Sequence, residues 1–235
     1  IPTLIFCQDD NVIIEKTRKD KEKEIFVNDL IAKMTLMEKI GQMNQYSNFY
    51  DFTGPYPKNF VDSLKFEQLK QGLVGSVLNV SGVKKVKKMQ KLVIDNSRMK
   101  IPLLFALDVI HGFQTINPIP LAESASWNLE LIQKSASIAA KEAASAGINW
   151  TFAPMVDITR DPRWGRIMEG AGEDPYLGSK IAVARIKGFQ GNNLEDPLTI
   201  AACAKHFAAY GFAESGRDYN TCLLYTSPSP RDTLL

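Results

Sequence analysis

Asp108, Arg166, Lys205 and His206 each stand just beyond the end of a short apolar run, about a hundred residues apart at the extremes. Their chemistry is complementary. A carboxylate at 108 can accept two hydrogen bonds from adjacent hydroxyls, Arg166 and Lys205 can donate to oxygens on another edge, and His206 can do either. With the apolar face of Trp164 nearby, this set suits a pyranose, which carries hydroxyls at its rim and C–H groups on its faces. Asp157, Arg160, Asp161 and Arg163 follow a run end in the same way. Taken singly, each has a plain structural reading. Asp108 could cap a turn, and Arg163-Trp164-Gly165-Arg166 could be a loop tied by ion pairs, with Gly165 allowing a tight turn. Only joint placement favours a site.

The elements that must position these residues are legible as a rhythm. Residues 75–80 (GSVLNV), 102–107 (PLLFAL), a segment within 150–158 and 198–204 (LTIAACA) read as buried strands. Between them, residues 83–98, 128–146 and 174–189 read as helices. Asn128 and Asp174-Pro175 start the last two, and Gly147 stops the first of these. Continuous apolar strands alternating with long helices signal a parallel sheet covered on both faces. No GxGxxG string occurs, so a (β/α)8 barrel fits better than a dinucleotide fold. In a barrel of parallel strands the C-terminal strand ends share one rim, where active sites lie. A full barrel takes about 250 residues. The expectation is an incomplete TIM-barrel-type domain, about the first half, over residues 25–221. An N-terminal extension precedes it (1–24) and a tail without strand or helix logic follows (222–235). Upstream, residues 25–34 read as a helix, Thr35–Glu38 as a capping box opening another, and 46–60 as an irregular loop.

Composition narrows the function classes. The 235 residues are 45% hydrophobic and 23% charged, with a net charge of +2 that gives no argument for nucleic acid. Lys84, Lys85, Lys87, Lys88 and Lys91 read as the wet face of a helix whose apolar face is Val83, Val86, Met89, Leu92 and Val93. Three cysteines without a CxxC pair and only two histidines point to no disulfide framework and no metal site. No run approaches the ~20 apolar residues of a membrane span. Ile1–Cys7 is short and apolar, consistent with the remnant of an export signal. Asn79 and Asn149 open glycosylation sequons, the second in an expected strand.

Longer strings now carry a resemblance. Asp157–Arg166 (DITRDPRWGR), Glu169–Pro175 (EGAGEDP) and Ala202–Gly211 (ACAKHFAAYG) resemble the N-terminal barrel of glycoside hydrolase family 3. Leu107–Gly112 (LDVIHG) and Ile119–Trp127 (IPLAESASW) resemble its β-glucosidase branch. The resemblance spans about residues 26–221 and implies a β-glucosidase-like enzyme that removes terminal β-D-glucosyl residues with retention, with no cofactor or metal. By motif, Asp108 matches the carboxylate that binds glucose hydroxyls, Arg166, Lys205 and His206 match further sugar ligands, and Asp218 matches an acidic residue near the site more loosely. Trp164 is expected to pack the loop. The family's nucleophilic Asp sits in a Ser-Asp-Trp-like string that does not occur here, and its acid/base comes later still. The expectation is therefore a fragment that binds a β-glucoside or oligosaccharide, lacks catalysis, tends to self-associate, and belongs to a secreted, periplasmic or lysosomal enzyme. The alternatives are a β-xylosidase or β-N-acetylglucosaminidase of the same family, a Schiff-base aldolase using Lys205, or a non-catalytic sugar-binding piece.

Overall fold

The computed structural model describes residues 7–47, 60–213 and 217. Residues 1–6, most of the loop expected at 46–60, Asp218 and the 222–235 tail lie outside the described residues. The first helix, α1 (Cys7–Lys33), starts well before the expected Ile25, and residues 20–24 within it are exposed. Next comes α2 (Leu36–Gln42), opened by a reciprocal box. Thr35 Oγ1 accepts from the Glu38 amide at 3.2 Å, and Glu38 Oε2 accepts from the Thr35 amide at 2.8 Å. Arg98 locks this corner by donating to both Glu38 oxygens, at 3.0 and 2.5 Å, and to the Lys33 carbonyl at 2.9 Å. Bonded chiefly by Arg98 and then by the Thr35 amide, the Glu38 carboxyl is held down at about 2.

Four parallel strands follow one another in sequence order across the sheet: β1 (Gln45–Tyr46), β2 (Ser76–Leu78), β3 (Leu104–Leu107) and β4 (Trp150–Thr151). Helices α3 (Phe60–Lys70), α4 (Val83–Asn96), α5 (Pro120–Ser124), α6 (Leu129–Ser145) and α7 (Pro175–Gln190) lie between and after them. Sequential parallel strands joined through helices make this a segment of a (β/α)8-type barrel. Local pattern in the sequence does not mark β1, α3 or α5. A two-residue strand has no period to detect, and a five-residue helix is little more than one turn.

The stretch read as a fourth strand, 198–204, takes its expected place beside β4 but forms no continuous ladder. It makes isolated parallel bridges, Trp150 to Ala201 and Met155 to Lys205. Hydrogen bonds from Thr151 N to Ala201 O (2.8 Å), Ala201 N to Asn149 O (2.8 Å) and Cys203 N to Ala153 O (2.9 Å) hold it alongside, but the pairing slips by one residue between the two bridges. Pro154 faces this segment and has no amide hydrogen to donate, which interrupts the ladder.

One core lies between sheet and helices: Val77, Phe105 and Ile148 from the sheet side pack with Leu69, Met89, Val93, Ala136, Ala140 and Phe189. On α6 the buried positions are Ile132, Ala136, Ala139, Ala140 and Ala143, and on α7 they are Ile181, Ala184, Arg185, Gly188 and Phe189. Both sets recur at three- and four-residue intervals, as one buried helix face requires. At Gly188 a Cβ would stand 2.4 Å from the Gln133 carbonyl oxygen, so the two helices approach as closely as they do only with glycine there. Asn128 and Asp174 cap the two helices as expected, accepting from the amides of Leu131 (2.9 Å) and Leu177 (2.8 Å). After α6, Gly147 adopts a φ of +88°. The α4 lysines are exposed as expected. Val83, assigned to the apolar face, is itself half exposed, because it is the first residue of the helix and projects past the core. Among the described residues no helix is long and apolar enough to cross a membrane.

Candidate functional site

Strand β3 ends at Leu107 and delivers Asp108 to the C-terminal edge of the sheet. The backbone just beyond is fixed from the next strand, since Thr151 Oγ1 accepts from the Val109 amide at 3.1 Å. The parallel segment ending at Lys205 delivers Lys205 and His206 to the same edge, where the two are joined by a cis peptide. The loop after β4 brings Arg166, within a short 3-10 helix, Gly165–Glu169.

These residues meet through ion pairs. Lys205 Nζ lies 2.7 Å from Asp108 Oδ1 and 3.9 Å from Glu169 Oε2. Glu169 grips Arg166 with both oxygens, accepting from Nε at 2.5 Å and from Nη2 at 2.7 Å. Arg166 Nη1 reaches the Tyr210 hydroxyl at 3.4 Å, and the Tyr210 ring meets the His206 ring edge-on with centroids 4.6 Å apart. Asp157, buried, accepts from the His206 amide at 3.0 Å and stands 2.8 Å from His206 Nδ1. A chain of contacts thus runs from Asp108 through Lys205, Glu169, Arg166 and Tyr210 to His206 and Asp157, polar at each link but the ring contact between Tyr210 and His206. The Lys205 side chain is 13% exposed and that of Asp108 49%, so the cation is sunk while the carboxylate keeps an open side.

The charges stabilise one another. The fork of Arg166 holds the Glu169 carboxyl below the usual carboxylate range, against the opposing effect of burial, and Glu169 in turn raises Arg166. Planar guanidinium and carboxylate match two bonds to two, which fixes direction as well as distance. Such a rim holds donors and an acceptor in fixed positions, an arrangement able to meet a ligand rich in hydroxyls. Among the described residues no group of three or more His, Cys, Asp or Glu side chains is placed to hold a metal ion.

Of the residues expected at the site, Asp108, Arg166, Lys205 and His206 come together, and Asp218 lies outside the described residues. Three neighbours were not assigned to it. Glu169 had a signal, because a carboxylate three residues after Arg166 faces it on one helical turn. Asp157 stood at a run end and turns out to hold His206. Tyr210 had no signal. Asp161 and Arg163 pair with each other beside the site, at 2.9 and 2.7 Å, and Arg160 stacks on Phe212, with its guanidinium carbon 4.0 Å from the ring centroid; these three shape the loop. Trp164 is buried with Met155 and Ala213, packing the loop as expected. Gly165 lies in a tight turn, closed by the Ile167 amide on the Trp164 carbonyl at 3.2 Å, but nothing there demands glycine, since its φ is not positive and a Cβ would meet nothing within 4 Å.

Comparison with known proteins gives a consistent picture. The model of the glycosyl hydrolase family 3 N terminal domain matches residues 35–226. The periplasmic beta-glucosidase of Salmonella typhimurium is 44% identical, over 85% of this chain and 25% of its own length. The lysosomal beta glucosidase of Dictyostelium discoideum is 33% identical, over 83% and 27%. The crystal structure of beta-glucosidase from Listeria innocua in complex with glucose superposes with a TM-score of 0.71 at 41% identity, covering 81% of this chain and 27% of that one. The chain spans about a quarter of the length of these curated relatives.

Proposed function

The chain belongs to glycosyl hydrolase family 3, and on that premise we propose that it forms the sugar-holding wall of a β-glucosidase that removes terminal β-D-glucosyl residues with retention. The observation that carries this reading is the chain of contacts at the C-terminal edge. In it Asp108 accepts from two sugar hydroxyls, while Lys205 and Arg166, oriented by Glu169, donate to sugar oxygens. His206, held by Asp157, contributes a further polar contact, and Asp218 is assigned to the same pocket on its motif alone. Groups already aimed before the ligand arrives cost little reorganisation, so their binding energy can be used to hold the ring for reaction.

Retaining hydrolysis needs a nucleophile and an acid/base about 5–5.5 Å apart across the scissile bond. Each carboxylate described at this edge already has a cationic or imidazole partner: Asp108 has Lys205, Glu169 has Arg166, and Asp157 has His206. We assign them to binding and positioning, and the two catalytic roles to carboxylates outside this set. Accordingly the 235-residue chain by itself is expected not to hydrolyse glycosides. Lys205 Nζ donates to Asp108 and lies beside Glu169, which makes it an ion-pair donor and argues against the Schiff-base reading. The periplasmic and lysosomal locations of the two relatives favour an exported enzyme.

The test is hydrolysis of an aryl β-glucoside and an aryl β-xyloside by the full-length enzyme, with the first-formed anomer followed by NMR. The β-anomer of glucose, with the glucoside preferred, is expected. Asp108→Ala should lower kcat/KM by about two to four orders of magnitude, since two charge-assisted hydrogen bonds contribute about 1.5–3 kcal/mol each. A first product of α configuration, or a folded Asp108→Ala enzyme with near-normal kcat/KM, sinks the proposal.

A further inference from the structure

Helix α5 is only five residues long, yet it carries two buried polar side chains, Glu123 and Ser124. Both reach toward the loops that bear the proposed sugar ligands. Glu123 Oε2 accepts from Arg185 Nη1 at 2.5 Å, and its other oxygen accepts from Ser135 Oγ of α6 at 2.5 Å. Arg185 lies on α7 and is itself buried. Its second terminal nitrogen, Nη2, donates to the carbonyl oxygen of Ile110, two residues beyond Asp108. On the other side, Ser124 Oγ donates to the Ala171 carbonyl at 2.6 Å, two residues beyond Glu169, the grip on Arg166. One short helix is therefore bonded, through one ion pair and one hydroxyl, to both walls of the pocket.

A buried ion pair is an inefficient way to stabilise a fold. Removing both charges from water costs so much that an apolar pair of similar volume often does as well or better. What the pair supplies is direction. The guanidinium is rigid and planar, and with Glu123 holding one nitrogen, the other can meet the Ile110 oxygen along only one line. Leaving that half-buried carbonyl without its donor would free the loop to shift until another partner was found.

We propose that Glu123 and Arg185 are positioning residues for the sugar site. Through the Ile110 carbonyl they fix where Asp108 presents its carboxylate. Through Ser124 and Ala171 the same helix fixes the Arg166–Glu169 wall, so the spacing between the two walls is set by α5. This inference rests on the reading of Asp108 as a sugar ligand.

The experiment measures glucose affinity, as a competitive inhibition constant against an aryl β-glucoside, in the full-length enzyme. The main variant is charge-neutral, Glu123→Gln with Arg185→Met, so that no buried charge is left alone. It is expected to lose about tenfold in glucose affinity. In an Asp108→Ala background the same change should cost less than about threefold, because residues that act through one another are not additive. If that variant does not fold, Ser124→Ala decides. It should lose about threefold in affinity, and the loss should vanish in an Arg166→Ala background. Wild-type affinity in the folded variants, or equal losses in both backgrounds, overturns the inference. If Asp108→Ala alone leaves glucose affinity unchanged, the sugar-ligand reading has failed and this inference falls with it. If Asp108→Ala loses affinity and the charge-neutral variant does not, the positioning role alone falls.

Discussion

Replacing Glu169 with Gln isolates the centre of the proposed site. The side chain keeps its shape but loses its charge, and its two bonds to Arg166, at 2.5 and 2.7 Å, cannot both survive. The amide oxygen can still accept one, while the amide nitrogen faces a guanidinium that has only donors. Each charge-assisted bond contributes about 1.5–3 kcal/mol, and the surviving one, still donated by a guanidinium, keeps that character, so the clamp weakens by about 1.5–3 kcal/mol in a dry site. Arg166 is 31% and Glu169 19% exposed at the side chain, so solvent screening reduces the expected effect to about 1–2 kcal/mol. If Arg166 binds sugar only when so held, that range corresponds to roughly a 5- to 30-fold loss of affinity for glucose. The assay is glucose inhibition and kcat/KM on an aryl β-glucoside in the full-length enzyme, with circular dichroism to verify folding. Because Arg166 holds the Glu169 carboxyl below the usual range, the clamp is fully present above the ordinary carboxylate pKa and is lost only as pH falls through the lowered value. The difference between wild type and variant should therefore persist to moderately acid pH. A folded Glu169→Gln enzyme within twofold of wild type, beside an Arg166→Ala enzyme that has lost binding, would show that Arg166 needs no clamp.

Glu38→Gln should lower the melting temperature of the chain at neutral pH. Since its carboxyl is depressed from 4.5 to about 2, the gap from wild type should be full above pH 4.5 and close as pH falls toward 2; a gap unchanged across that window refutes the pairing with Arg98. Gly188→Ala forces a Cβ to within 2.4 Å of the Gln133 carbonyl oxygen and 2.6 Å of Ala136 Cβ. Overpacking of this kind costs about 1–3 kcal/mol, partly offset by the better helix propensity of alanine, whereas Gly165→Ala, with open space, should change thermal stability little. Equal melting temperatures for the two variants would contradict the close approach of α6 and α7. The isolated chain should self-associate in sedimentation velocity, because Phe26, Leu36, Met37, Met43 and Phe207 are all exposed and β1 is an edge strand; a single monomeric boundary at all concentrations counts against this.

The sequence by itself determined the elements that announce themselves locally. The capping box at Thr35 and Glu38, the caps at Asn128 and Asp174 and the stop at Gly147 depend on neighbours within a turn or two, and spacing alone reveals them. The parallel order was legible too, because helices between apolar runs leave few other arrangements. The position of Asp108, Lys205 and His206 at run ends was enough to send them to one edge. What only the tertiary structure decided was who holds whom across long separations. Arg185 reaches Glu123 and Ile110, 62 and 75 residues away, and Arg98 closes on Glu38, 60 residues back. Nothing in local pattern distinguishes a buried arginine on a helix face from an exposed one. The same limit hid the break in the 198–204 ladder, which arises from a proline on the neighbouring segment. It also hid Tyr210, whose link between Arg166 and His206 exists only once two separate loops share one edge.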